Sequence, residues 1–289
     1  MPTAAIRRAF LRACAWDVAV RKPGNVSAAS GGHGMQARTF LDSAAASVDG
    51  LCAARAPVGA RIEAAIAASW SRVGCNTNLG IVLLCAPIAA AAEACTSPGD
   101  LRTAVQAVLA DLDVADAEAA YRAIVQAHPG GLGSAEAQDV HEAPSVTLRE
   151  AMVLAADRDR IARQYRDGLA ELFDLGLPAL AGRGVAPAPS DDPFDVPADA
   201  ASVAAVQRLY LAWLASDHDS HIVRKHGEAV AHSVLVDARV WRERAAGGAA
   251  LDADPAWTAW DHDLKSRRIN PGTSADLTVA TLMLAALVA

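Results

Sequence analysis

Aromatic residues are scarce in this chain: Phe, Trp and Tyr make up 4% of 289 residues. A core short of large rings has to be filled by small aliphatic side chains packed at close range. Strict alternation of apolar and polar residues is also rare, which argues against half-buried strands and a β-rich fold. The five cysteines, Cys14, Cys52, Cys75, Cys85 and Cys95, contain no C-x-x-C pair. Their odd number in Ala-rich context predicts reduced thiols and a cytoplasmic protein. Positive charge is in deficit, with a net charge of −7 and a pI near 5.6. That excludes a general nucleic-acid surface while leaving room for a local basic pocket. The most apolar stretches, 79–94 and 277–289, fall short of the ~20 residues that span a membrane, so no membrane partner is expected. The start Met1-Pro2-Thr3, leading into Arg7 and Arg8, lacks a signal-peptide core. There is no G-x-x-x-x-G-K-[ST], no G-x-G-x-x-G after a strand and no G-x-S-x-G.

What is present is alanine and helical periodicity. Hydrophobic residues reach 53%, many of them the best helix former. The pattern predicts an all-α protein, one compact multi-helix domain over 1–289 whose helix N-termini and polar loops surround one cavity. The stretch 176–199, with Pro178, Pro187, Pro189, Pro193 and Pro197, reads as a surface loop and the only plausible internal boundary. Thr39 with Asp42 reads as a cap opening a second helix, and Thr147 with Glu150 as a capping box starting a long helix to about Leu175. Arg158, Arg160, Arg163 and Arg166 on that helix read as a solvated face of i,i+4 ion pairs. Asp199 reads as the N-cap of a helix over 200–215. A single helix is expected over about 219–244. Thr273 reads as the cap of a terminal helix with Asp276 at its third position.

Three Gly- or Pro-bearing polar loops stand out: Lys22–Ser27, Gly74–Gly80 and Asn270–Asp276. A helix N-terminus fed by such a loop offers unpaired N–H groups and can hold a phosphate. The Gly74–Gly80 loop can equally be a capped turn, with Thr77 or Asn78 as N-cap of the helix from Leu79. Cys75 lies where a helix start lowers a thiol pKa, but no partner histidine can be named for it. Four of the eight histidines fall between 218 and 232. On a continuous helix Asp217, His221, Arg224 and Glu228 would share one face. Arg and Lys there suit phosphate, and Asp and Glu suit magnesium. A histidine two residues from an aspartate also suits zinc, though no cysteine lies near to complete a structural site.

In this order the segments resemble the triphosphoribosyl-dephospho-CoA synthase family (ATP:dephospho-CoA triphosphoribosyl transferase). The resemblance runs through Lys22-Pro23-Gly24-Asn25-Val26 with His33 downstream, Gly74–Gly80 with its apolar helix, Asp219–Glu228, and Asn270–Leu277. Typical members carry His-Lys where this chain has Asn78-Leu79. Met35 and Gln36 follow His33 where the family has a nearby Asp. In these departures the chain looks like the branch found in archaea and methylotrophic bacteria. The resemblance implies an all-helical, cytoplasmic, ATP-binding transferase of cofactor biosynthesis. It would condense ATP with dephospho-CoA and release adenine, breaking a bond at ribose C1. It implies Asp219, His221 and His33 as catalytic residues, with His221 or His33 protonating the leaving adenine. Lys22, Gly24, Asn25, Gly74, Asn76, Thr77, Asn78, Gly80, Arg224 and Lys225 would bind phosphate or nucleotide. Asp219, Glu228 and Asp276 would hold Mg2+, and a homodimer is among the expected states. The branch resemblance also admits a phosphoribosyl transferase that takes phosphoribosyl pyrophosphate and a precursor of a tetrahydromethanopterin-type carrier. The missing His-Lys pair admits a non-catalytic nucleotide-binding or partner-binding protein.

Overall fold

The computed structural model describes residues 1–95, 97–180, 192–197 and 199–289, and they form fourteen α-helices and no β-strand. The expected all-α class holds, and no helix among the described residues is long and apolar enough to cross a membrane. The helices gather into two compact units, and three of them, α1 (Thr3–Ala19), α2 (Ala37–Leu51) and α14 (Gly272–Val288), contribute residues to both. The chain passes between units near residues 11, 41, 171 and 281, not within the Pro-rich stretch 176–199. Residues 181–191 and 198 of that stretch lie outside the described residues, and its first residues are helical: a π turn Leu172–Gly176 runs into α9 (Leu177–Leu180).

The first unit comprises Met1–Leu11, Asp42–Glu171 and Leu282–Ala289. Its centre is α4 (Leu79–Ala94), a helix apolar all round and buried on nearly every side, as such a composition requires. Around it pack α3 (Val58–Val73), α5 (Leu101–Ala110), α6 (Val114–Ala127) and α8 (Arg160–Arg166). Small residues set the spacing. A β-carbon at Gly59 would stand 2.5 Å from the Asp116 backbone, so α3 and α6 meet backbone to backbone. Pro87 interrupts the α4 ladder because it has no N–H to give the carbonyl four residues back. That carbonyl belongs to Leu83, and the buried hydroxyl of Tyr165 donates to it at 2.6 Å.

The expected long helix 147–175 is a correction. The capping box of Thr147 and Glu150 is present, but the helix it opens, α7 (Leu148–Ala155), is short, and α8 begins at Arg160. Asp159 breaks the run by accepting from the N–H groups of Ile161 and Ala162, which caps a new helix. Arg160 is buried and gives its guanidinium to both oxygens of Glu171, at 3.0 and 3.2 Å. It is no member of a solvated i,i+4 face. The second helix starts at Ala37, so Thr39 lies inside it rather than capping it.

The second unit comprises Arg12–Leu41 and Leu172–Thr281. It holds α10 (Ala200–Leu214), α11 (Ser220–His226), α12 (Glu228–Ala246), α13 (Pro255–Ser266) and the first turns of α14. Asp199 caps α10 as expected. Half of the chain's tryptophans, Trp241, Trp257 and Trp260, cluster where α12 meets α13, with ring centroids 5.1–6.1 Å apart. The expected single helix over 219–244 is two. Gly227, at φ 83° with open space around it, ends α11 and starts α12 in a conformation that side chains rarely adopt.

Candidate active site

The residues with chemistry concentrate in the second unit, where two polar loops interlock beside α11. Gly24 is in the left-handed region at φ 82°, and a β-carbon there would lie 2.7 Å from Pro271 Cδ. Its N–H donates to Asp261 Oδ1 at 2.9 Å, and the amide of Asn25 donates to Asn270 Oδ1 at 2.8 Å. Asp261 is fully buried and also receives Arg21 and Lys265, the latter at 2.9 Å. Lys265 reaches on to the carbonyl and hydroxyl of Ser30. Asp261 and Lys265 thus hold the loop of residues 24–30 in place. Sequence reading missed both, although an acid and a lysine four apart on α13 were a usable signal.

Lys22 does not face a ligand. It is fully buried, its ammonium 2.9 Å from Asp17 Oδ1 and hydrogen-bonded to the Asp17 carbonyl. It lies 6.0 Å from the ring centroid of Tyr210, whose hydroxyl donates to the Pro23 carbonyl at 2.7 Å. The proline after Lys22 ends α1 as expected, but the lysine turns inward to neutralise Asp17. Its expected phosphate role is corrected to a structural ion pair.

Asp219 caps α11 and joins it to α14. Its Oδ1 accepts from the N–H groups of His221 and Ile222 at 3.0 and 3.2 Å, and its Oδ2 accepts from the N–H and hydroxyl of Ser274, both at 2.8 Å. Four donors fill the roughly four acceptor directions of a carboxylate. The same carboxylate meets the positive end of α14. Burial pushes its pKa up, against the hydrogen bonds from Ser274, Ile222 and His221. A carboxylate so occupied does not fit a magnesium ligand, and this expectation is corrected. Glu228 is exposed at the start of α12, on the far side of Gly227 from α11, so the expected common face of Asp217, His221, Arg224 and Glu228 does not form. Asp276 is half-buried and is the fifth residue of α14, past the first turn and not at the third position expected. Among the described residues no three His, Cys, Asp or Glu side chains gather as a metal cluster. Thr273 lies inside α14 and accepts from the His221 N–H at 3.2 Å, instead of capping its own helix.

His221 is the least ordinary side chain here. Its imidazole fills the space that a β-carbon at Gly272 would need. Its Nε2 is buried and finds no hydrogen-bond partner among the described residues. Burial lowers its pKa to about 3, helped by the charges of Lys225, Arg224, His33 and His226. A neutral imidazole is a weak acid at neutral pH, which disfavours the expected acid role of His221 in the unliganded site. His33, at φ 55°, places Nε2 2.8 Å from the Gly24 carbonyl. A carbonyl only accepts, so Nε2 carries the hydrogen and Nδ1 of the neutral ring is the basic side. Burial lowers the His33 pKa, opposed by the Gly24 carbonyl and then assisted by Lys225 and Lys265. Lys225 is exposed and Arg224 half-buried on the same short helix, and His226 donates to the Arg268 carbonyl at 3.1 Å.

The third polar loop, Gly74–Gly80, belongs to the first unit. Gly74 ends α3 in the left-handed conformation, its N–H bonded to the Trp70 carbonyl. Asn78 stands at the N-cap position of α4 without capping it; Asn76 Oδ1 accepts from the Leu79 N–H instead. Thr77 donates to the Ser43 hydroxyl at 2.5 Å, and Asn78 bonds both Ser69 and Ser47. Asn76, Thr77 and Asn78 therefore stitch α2, α3 and α4 together, where a phosphate cradle was expected. Burial raises the Cys75 pKa, the opposite of the lowering expected at a helix start.

A family model described as ATP:dephospho-CoA triphosphoribosyl transferase matches residues 3–289. No curated protein matches the chain. Among solved structures, a protein of Archaeoglobus fulgidus provisionally described as a triphosphoribosyl-dephospho-CoA synthase is similar over 85% of this chain and 97% of its own. The TM-score is 0.62 at 21% identity, a likeness that establishes the shared fold alone.

Proposed function

The chain belongs to the ATP:dephospho-CoA triphosphoribosyl transferase family, and from that premise we propose that it condenses ATP with dephospho-CoA at the basic cluster of its second unit. The observation that carries this reading is the buried, unpartnered Nε2 of His221, flanked by the cationic groups of Arg224 and Lys225. Such a group costs free energy while nothing meets it, and a phosphate oxygen beside Arg and Lys would supply what it lacks. Asn25 and Asn270, already bonded to each other, form the rim from which the ribose is oriented.

In the reaction the C1–adenine bond of the donor breaks, a hydroxyl oxygen of dephospho-CoA bonds to C1, and the hydroxyl proton has to be removed while adenine gains one. His33 suits the first proton transfer: its Nδ1 is basic, its tautomer is set by the Gly24 carbonyl, and burial shifts the ring towards its neutral form. Cationic groups on α11 would hold the triphosphate and so anchor the sugar while positive charge develops at C1. Magnesium enters this reading only as the ion that the donor triphosphate brings with it; no step is routed through it. The pentosyl-transferase class and the free adenine product both follow from this scheme.

The test is chromatography of purified protein with ATP, magnesium and dephospho-CoA. Free adenine together with a heavier CoA adduct is expected, and both should disappear in Arg224→Ala while its circular dichroism stays unchanged. Intact ATP after prolonged incubation with the folded wild type would overturn the reading.

A further inference from the structure

One histidine pair stands apart from this cluster. His218 lies in the turn between α10 and α11, and His232 on the first turns of α12. The Nε2 of His218 and the Nδ1 of His232 are 3.3 Å apart. Their rings are nearly perpendicular, at 89°, with centroids 5.5 Å apart. His232 is exposed and His218 half-exposed, so water reaches the pair. We propose that His218 and His232 form a two-histidine binding site for a divalent transition metal, with water completing the coordination.

The geometry is that of two ligands on one ion. A tetrahedral metal with nitrogen ligands at about 2.0–2.1 Å places neighbouring nitrogens about 3.4 Å apart. The 3.3 Å separation of the pair matches that spacing, so a modest turn of the two exposed rings would aim both nitrogens at one ion in place of the shared hydrogen. Imidazole nitrogens suit zinc, copper and nickel, whereas magnesium and calcium prefer oxygen. Both backbones that carry the rings are anchored. The backbone N–H of His218 donates to Asp217 Oδ1 at 2.8 Å, which sets the turn, and His232 rides on a nineteen-residue helix.

The consequence lies in what the two ligands enclose. The chain from 218 to 232 contains all of α11 and the Gly227 hinge. An ion bound to both ends closes that segment into a loop and holds α11 against α12. If α11 carries the donor phosphates, as proposed above, the metal would set the stiffness of the phosphate-binding helix. The metal site itself stands independently of that reading.

The experiment is isothermal titration of zinc chloride into metal-free full-length protein, beside His218→Gln and His232→Gln, with thermal melts of each. The wild type should bind one zinc that each variant holds at least about tenfold more weakly. Zinc should raise the wild-type melting temperature and leave both variants unmoved. Circular dichroism of the variants should match the wild type, since both rings sit at the surface. Identical isotherms in all three proteins, with zinc then held elsewhere, would overturn the proposal. So would the absence of binding heat and of any melting shift in the wild type. Neither result bears on adenine release from ATP, so the metal site and the reaction are tested separately.

Discussion

The imidazole of His221 occupies the space beside Gly272 that any side chain at position 272 would need. The first helical position of α14 and the most perturbed histidine of α11 are therefore one steric unit. Gly272→Ala has to push the ring out of its buried position, a form of overpacking that typically costs about 1–3 kcal/mol. The expected outcome is a raised KM for ATP with little change in helix content. An unchanged KM would show that the His221 ring does not contribute to donor binding.

Lys22 separates a structural from a ligand role cleanly. Lys22→Ala leaves Asp17 charged, buried and uncompensated, which costs about 3–5 kcal/mol when a buried pair loses one partner. Chemical denaturation should show a loss of that order. Lys22→Ala with Asp17→Ala should recover part of it, because no lone charge then remains. A phosphate ligand would behave in the opposite way, with weaker ATP binding and unchanged stability.

The hydroxyl of Tyr165 substitutes for the N–H that Pro87 lacks. Tyr165→Phe leaves the buried Leu83 carbonyl without a donor, at a cost of about 1–3 kcal/mol. Pro87→Ala restores a backbone N–H four residues on, so the tyrosine change should cost less in that background. A double-mutant cycle by urea denaturation measures this coupling. Additive effects would mean that the hydrogen bond carries no stability.

His221 also makes stability depend on pH with a definite sign. Its pKa falls from 6.5 unfolded to about 3 folded, so unfolding takes up a proton in between. The contribution from its neutral form is complete above pH 6.5 and is lost as pH falls towards 3. Relative to His221→Gln, wild-type stability should drop by up to about 1.4 kcal/mol per pH unit in that window. Parallel pH profiles for the two proteins would place His221 in an ordinary solvated setting.

Much of the fold was legible locally. Caps such as Thr147 with Glu150, and Asp199, depend on residues within three positions of one another, and they appear where the sequence places them. The breaks were less legible. Asp159 and Gly227 interrupt runs whose composition favours continuous helix, and in each case one residue's cap or left-handed backbone outweighs the neighbouring propensities. At the site, Gly24 and Asn25 were found as a loop, but their partners Asp261 and Asn270 lie more than two hundred residues away. No local pattern announces such a pairing.

The sequence by itself determined the all-helical class, the apolar helix behind Gly74–Gly80, and the concentration of basic residues between 218 and 232. These rest on composition and short-range spacing, which act within one or two helical turns. Only the tertiary structure decided which polar side chains face inward. Lys22 went to Asp17, Asp219 to the first turn of α14, and Asn78 to the serines of α2 and α3, while His221 was left with an empty Nε2. Burial requires each polar group to find a partner wherever packing brings one. That choice is made across the fold and not along the chain.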